Sequence, residues 1–417
     1  MRRDAAFVSA LAALTLTASA CLPAARAPTP SVTPGPPSPS SSSSPPSSTP
    51  SPSPSPSLSP SPTPASSAAV HTTAVTLPDD PHFFSVGGQD STRILLFDSA
   101  ATRAPVEVVR FDPAPVPGGP DVRTIAFGAS ADGRVLVIAR RFSEQRTVQY
   151  LVRPQTGEVV VLLTDLASSF SVPVVSPDGA RYAFARSGDA AGTGVFIADA
   201  RAGPDPKRIV ASDPQIVGSP PQPSAWSPDG KWLAVTYQND SGSRMGVVQI
   251  SAGETTLDIA REAFTGGNAR LLGYGGAIDW RGGDQNLLVT SSRNIFGGRS
   301  FVYTTTLAGG PPRELYVPNT GTVLSGAAWH PALDRFFVDE RPLCCGVNAP
   351  STISIRKPDG SGTNVYASPF VDVPWWSKDG TRLWAQVGGD DSVGYLRDLL
   401  STTSVMFCLR SAGPPCL

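Results

Sequence analysis

The residues in this sequence that could do chemistry are its cysteines, its histidines, a recurring Asp-Gly pair and a Trp-Trp pair. Cys344, Cys345, Cys408 and Cys416 crowd into the last quarter of the chain, where an oxidising compartment would let them pair. Four cysteines allow three pairings. One joins Cys408 to Cys416 around a short loop and leaves Cys344–Cys345 as a strained vicinal ring; the crossed pairings stay open. A structural staple is the simpler expectation, and a redox site or ligand platform the sharper one. His71, His82 and His330 show no metal-ligand spacing and no HExxH. No GxSxG elbow occurs. Ser354-Ile355-Arg356-Lys357 matches SxxK, but on a predicted strand, where such a nucleophile would not sit. The aspartates of the Asp-Gly pairs are spread along the chain, and a turn explains each without a cation. Asp79-Asp80 and Asp390-Asp391 could bind a cation near one rim, although paired acids in a loop are more often simply solvated. In Trp375-Trp376, alternation along a strand sends the rings to opposite faces. Trp376 is expected in the core and Trp375 against a neighbouring unit, or else as an aromatic platform for a sugar or peptide. The sequence therefore offers no catalytic constellation, no metal site and no cofactor.

Several of these residues belong to one repeated pattern: an anchor, a Ser-Pro-Asp-Gly turn, then a short apolar strand. The clearest copy is Trp226-Ser227-Pro228-Asp229-Gly230, followed by Trp232 to Val235. Val175 leads a copy through Asp178-Gly179, Ala129 one through Asp132-Gly133, and Trp376 one through Asp379-Gly380. Trp280 and Trp329 keep anchor and strand but lose the turn residues, at Gly283-Asp284 and Ala332-Leu333. Anchors at 129, 175, 226, 280, 329 and 376 are spaced 46, 51, 54, 49 and 47 residues apart. A worn copy, Thr76-Leu77-Pro78-Asp79-Asp80 with Phe83 and Ser85, lies 53 residues before the first of them. Proline and Asp-Gly suit a tight turn, and the alternation that follows suits a half-buried strand. A second strand pair follows in each unit, as in Val148–Val152 with Val159–Leu163. The period fits a blade of four short strands. The expected fold is all-β: a single propeller of four-stranded antiparallel blades, seven of them, or six if the Thr76 copy is no blade.

The Trp-Ser-Pro-Asp-Gly units resemble the WD40-like (PD40) repeat of TolB-type propellers, over about residue 72 to 417. TolB itself is similar to a six-bladed propeller preceded by a mixed α/β domain, which this sequence does not show. The resemblance implies protein–protein contact at the cell envelope, although fold does not carry function. Prolyl oligopeptidase-type enzymes carry similar propellers, but their catalytic domain would need roughly 250 residues beyond Leu417. The expected function is thus a non-enzymatic extracytoplasmic binding or scaffold protein with a protein or glycan partner. Its contacts are expected on loops near Ala263–Gly276 and Arg341–Pro350. The alternative is an enzyme of the lactonase, lyase or glycosidase type in the propeller channel.

Ahead of the repeats the chain reads as an export signal and a tether. Arg2 and Arg3 precede an apolar stretch, Ala5 to Ala18, too short to span a bilayer of ~30 Å. Ala18-Ser19-Ala20-Cys21 reads as a lipobox with Ala18 where leucine is usual, or as an ordinary cleavage site. Residues 1–20 are expected to be a signal peptide, residues 21–70 a disordered tether and residues 71–417 the propeller. Within residues 28–67, 36 of 40 residues are Pro, Ser or Thr, which supply no apolar surface to offset chain entropy. A lipidated Cys21 would hold the protein on the outer face of the cytoplasmic membrane; otherwise it is secreted. The net charge of −1, with 29 scattered arginines, excludes a basic stripe for nucleic acid and leaves a lipid anchor as the only membrane contact. A monomer is expected.

Overall fold

The computed structural model describes residues 70–87, 92–100, 103–112, 125–143, 146–165, 171–187, 192–201, 205–212, 220–239, 242–259, 261, 263–281, 286–291, 300–307, 311–342, 350–368, 374–388 and 393–408. The expected signal peptide, Cys21 and nearly all of the tether fall in residues 1–69, outside the described residues.

Among the described residues, thirty strands form seven sheets. Blade 1 comprises β1 (Val70–Thr72), β2 (Pro81–Gly87), β3 (Thr92–Asp98) and β4 (Val106–Phe111). Blade 2 comprises β5 (Ile125–Ala129), β6 (Leu136–Ser143), β7 (Arg146–Arg153) and β8 (Glu158–Asp165). Blade 3 begins with β9 (Val174–Val175), β10 (Arg181–Arg186), β11 (Gly194–Asp199) and β12 (Lys207–Ser212). Blade 4 runs through β13 (Gln222–Trp226), β14 (Trp232–Asn239) and β15 (Gly242–Gln249). The chain then leaves blade 4 for β16 (Thr255–Asp258) and β17 (Ala263–Thr265), and returns as β18 (Ala269–Tyr274). Blade 5 is β19 (Ala277–Arg281), β20 (Asn286–Ser291), β21 (Phe301–Thr306) and β22 (Arg313–Tyr316). Blade 6 is β23 (Thr322–Trp329), β24 (Phe336–Pro342), β25 (Ser351–Arg356) and β26 (Gly362–Ser368). Blade 7 is β27 (Trp375–Trp376), β28 (Leu383–Val387), β29 (Val393–Asp398) and β30 (Ser404–Cys408). Among the described residues the only helix is one 3-10 turn, Ile250–Ala252.

Alternation along the strands explains how the blades pack. In β6, Leu136 and Ile138 face blade 1, while Val137 faces blade 3. In β14, Leu233, Val235 and Tyr237 face blade 3, while Ala234 faces blade 5. Each of seven apolar clusters therefore fills one seam between consecutive blades. The last seam joins blade 7 to blade 1 through Trp375, Trp384, Leu396 and Phe407 against Phe84, Val86, Leu95 and Phe97. The series closes on itself, which makes the fold a seven-bladed propeller and removes the six-bladed alternative. Each fully buried aliphatic or phenyl side chain contributes about 1.5–3 kcal/mol, so the seams carry most of the stability.

Two expectations are corrected here. Ala263–Gly276 is no loop: β16 pairs in parallel with β12 and antiparallel with β17, so this hairpin extends blade 3 to six strands. Phe264 packs into the seam of blades 3 and 4, and Gly246 must lack a Cβ because one would lie 2.4 Å from that ring. The Thr76 copy marks a real blade but is slipped by one residue. Phe83, Phe84 and Val86 are buried and Ser85 is exposed, because the turn before β2 is one residue shorter than in the other copies. Residues 343–349, in the other expected contact loop, lie outside the described residues.

Candidate functional site

Local chemistry builds the turns, and the turns form one rim. Each lies between the innermost and second strand of its blade, so all emerge at the same end of the disc. In the Trp226 copy, the Ser227 hydroxyl donates to Asp229 Oδ1 at 2.6 Å and accepts from the Trp232 amide at 2.9 Å. Asp229 Oδ1 also accepts from the Lys231 amide at 3.1 Å. Gly230 closes the turn by donating to the Ser227 carbonyl at 2.9 Å, with φ of 67°, a conformation that glycine adopts without a Cβ penalty. The same bonds recur at Ser130, Asp132 and Gly133, at Ser176, Asp178 and Gly179, and at Ser377, Asp379 and Gly380. Burial opposes ionisation of Asp178, Asp229 and Asp379, but the serine hydroxyl and backbone amides outweigh it and hold these carboxyls below their ordinary value. These aspartates are thus committed to their own turns.

The anchors sit at or next to the ends of the innermost strands. Trp226 donates from Nε1 to the Val174 carbonyl of blade 3 at 2.9 Å, and Trp376 to the Ala328 carbonyl of blade 6 at 3.4 Å. An arginine from the preceding blade covers each ring, Arg181 over Trp226 and Arg335 over Trp376. Trp280 and Trp329 are buried in the seams on either side of blade 5.

Blade 6 replaces the serine of the turn with His330. Its Nδ1 accepts from the amides of Ala332 and Leu333, both at 3.0 Å, so Nε2 carries the proton and donates to the Gly380 carbonyl at 3.0 Å. Burial, then the charge of Arg335, lowers the His330 pKa. One imidazole therefore does the work of the Ser-Asp pair and also links two neighbouring turns. The lost Asp-Gly signature at Ala332-Leu333 is explained by this substitution, which the sequence pattern did not reveal.

The closing seam holds the Trp pair. Trp375 is 3% exposed, stacks on His82 at 3.8 Å and 4°, and donates to Ser99 Oγ at 3.1 Å. It occupies the interblade position, and its indole is not available as a surface platform. Burial lowers the His82 pKa to about 3. Trp384 donates to the Ser99 carbonyl at 2.9 Å, and Asp80 accepts from the Lys378 amide at 2.8 Å. Burial raises the Asp80 pKa.

Asp279, beside the Trp280 anchor, escaped the sequence analysis. It lies on the innermost strand of blade 5 and accepts from the Trp329 amide of blade 6 at 2.7 Å. Burial raises its pKa to about 6, against the pull of two backbone amides. The available signal was an acid immediately before an anchor, in a strand otherwise apolar at its inner end. Glu340 accepts from the Tyr316 hydroxyl at 2.6 Å, and Arg356 stacks on that phenol ring. Ser354 is fully buried on β25 and accepts from Arg356 Nε at 3.0 Å. Among the described residues no three His, Cys, Asp or Glu side chains could hold a metal ion. Cys344, Cys345 and Cys416 lie outside the described residues, and only the backbone of Cys408 is described.

No known protein family matches the chain, and no curated protein does either. Solved structures do resemble it. A prolyl endopeptidase structure is similar at 13% identity with a TM-score of 0.54, covering 82% of this chain and 50% of that one. Prolyl oligopeptidase B from Galerina marginata is similar at 17% identity with a TM-score of 0.51, covering 82% of this chain and 51% of that one. The chain thus spans about half the length of these peptidases. A putative TolB from Agrobacterium tumefaciens matches at 17% identity with a TM-score of 0.40, covering 63% of this chain and 88% of that one. At these identities the likeness concerns the fold alone.

Proposed function

We propose that this chain is a non-enzymatic extracytoplasmic scaffold: a β-propeller, tethered through a lipidated Cys21 and a Pro/Ser-rich spacer, that makes protein or glycan contacts at the cell envelope. The observation that carries this reading is the turn rim. Its serines, aspartates and His330 are spent on the turns themselves, which leaves a rigid face with exposed side chains such as Arg134, Lys231 and Thr381. Function tends to sit on loops over such a frame. Cross-linking of the full-length protein in intact bacterial cells tests it. A triple variant, Arg134→Glu, Lys231→Glu and Thr381→Glu, should lose the cross-linked partner while still unfolding cooperatively, at a somewhat lower Tm because each of the three side chains pairs with the aspartate of its own turn. Identical cross-links from the variant would refute a rim contact. Mass spectrometry of the mature N-terminus should find a diacylated Cys21; an unmodified Cys21 or Leu22 at the start would remove the lipid anchor.

A further inference from the structure

The innermost strands of blades 2–7 are β5, β9, β13, β19, β23 and β27, and they wall the central channel that a propeller encloses. Asp279 is the one acid on these six strands, and Arg281, two positions nearer the turn, is the one base. The strands packed most closely on β19 are β13, β20 and β23, and none of the three carries a charged residue. Ionisable groups farther out are engaged elsewhere. His330, which follows Trp329, bonds to the Gly380 carbonyl, and Glu340 of β24 accepts from the Tyr316 hydroxyl.

The backbone bonding puts the Asp279 carboxylate on the channel side. The His330 amide donates to the Arg335 carbonyl at 2.8 Å, so these two residues form a hydrogen-bonded pair just past the end of the β23–β24 ladder. Such pairs alternate with pairs whose amides point away from each other, and Trp329 with Phe336 is of that second kind. The Trp329 amide therefore leaves the inner edge of blade 6 towards the channel. There Asp279 Oδ2 accepts it at 2.7 Å. Trp329 directly precedes the turn of blade 6, which places the carboxylate near the turn-rim mouth. Asp279 is half-buried, and so are Ile278 beside it, Ala225 on β13 and Ala327 on β23, which give it an apolar surround. Burial pushes its pKa up to about 6, so the group is still ionised at neutral pH.

We infer that Asp279 is a binding site for an alkylammonium group that enters the channel from the turn rim. A carboxylate in a wall of low polarity attracts an opposite charge more strongly than the same group in water. A metal ion is a poor match. Among the described residues no three His, Cys, Asp or Glu side chains gather, and a hard divalent cation needs several oxygens in place of its water. A guanidinium is also a poor match, because its fork takes both carboxylate oxygens and Oδ2 already holds the Trp329 amide. A compact ammonium needs one oxygen, and its alkyl stem finds Ile278 and Ala327. The site requires no partner on the rim, so it stands or falls separately from the envelope contacts proposed above.

Saturation-transfer NMR of n-butylammonium with the purified full-length protein tests this. The probe stays protonated between pH 5 and pH 7.5, so any loss of binding over that range comes from the protein. At pH 7.5 it should bind at least ~tenfold more tightly than n-butanol or n-butyrate, which share its stem but not its charge. Asp279→Asn keeps a side-chain oxygen for the Trp329 amide, so it should fold like the parent and bind the probe at least ~tenfold more weakly. The parent's own affinity should fall about tenfold from pH 7.5 to pH 5, as a carboxyl with a pKa of about 6 goes from almost fully ionised to about one-tenth ionised. A carboxylate that only ties blade 5 to blade 6 would give none of these differences. No probe signal from the parent would overturn the proposal. So would equal affinity in Asp279→Asn, equal affinity for n-butanol, or binding that is flat between pH 7.5 and pH 5.

Discussion

Gly230 and Gly380 hold the same place in two copies of the turn, with φ of 67° and 72°, but their surroundings differ. A Cβ on Gly230 would meet only the Arg181 guanidinium, 3.6 Å away at the tip of a flexible side chain. A Cβ on Gly380 would lie 2.3 Å from Cε1 of His330, whose ring is fixed by three hydrogen bonds. Gly230→Ala therefore measures the left-handed backbone alone, about 1–2 kcal/mol. Gly380→Ala adds overpacking against a ring that cannot swing away, a further ~1–3 kcal/mol. A body of roughly 345 residues unfolds with an entropy near 0.7 kcal/mol/K, so the two variants should differ in Tm by about 1.5–4 °C. Urea unfolding followed by tryptophan fluorescence, with thermal scans at the same pH, reads both values. In a His330→Ser background, which restores the serine of the repeat, Gly380→Ala should cost only the backbone part. Equal losses for Gly230→Ala and Gly380→Ala would refute the reasoning. So would a Gly380→Ala loss that His330→Ser leaves unchanged.

Other outcomes follow from the same geometry. Ser227→Ala leaves the part-buried Trp232 amide without its acceptor and should cost about 1 kcal/mol in urea unfolding, whereas Ser361→Ala in an exposed turn should cost under ~0.5 kcal/mol. His82 titrates near 6.5 when unfolded and at about 3 when folded, so the unfolded chain takes up the proton first and stability falls as pH drops from 6.5 towards 3. His82→Gln should flatten that decline between pH 7.5 and pH 4.5, and an unchanged slope would show that other groups set it. Asp279 moves the opposite way, from 3.8 unfolded to about 6 folded, so its contribution is complete below 3.8 and is lost as pH rises through 6. Asp279→Asn should therefore gain stability relative to the parent between pH 4 and pH 7, measured as a rising difference in urea midpoint.

Much of the fold was legible because its determinants are local. A Ser-Pro-Asp-Gly turn closes its hydrogen bonds within five residues, as Ser227 to Trp232 shows, so its sequence reports its shape wherever it occurs. The strand after each turn must alternate to fill two seams, so Leu233 to Val235 and Leu383 to Ala385 were readable as core. The anchors and their period follow from those local units alone, whereas the choice of seven blades over six rests on the seam that joins blade 7 to blade 1.

What the tertiary structure decided depends on partners far away along the chain. Trp384 bonds to Ser99, 285 positions earlier, and nothing near either residue announces the other. The β16–β17 hairpin reads locally like any exposed loop, and only the open edge of β12 makes it a strand pair. His330 stands where four other copies carry serine, and Gly380 from the next blade turns the substitution into a bonded joint. Sequence alone thus determined which segments become blades, through short-range turn chemistry and a two-residue period. Where the ring closes, which edge accepts an extra strand and which acid is buried were decided by packing, because those energies exist only once distant surfaces meet.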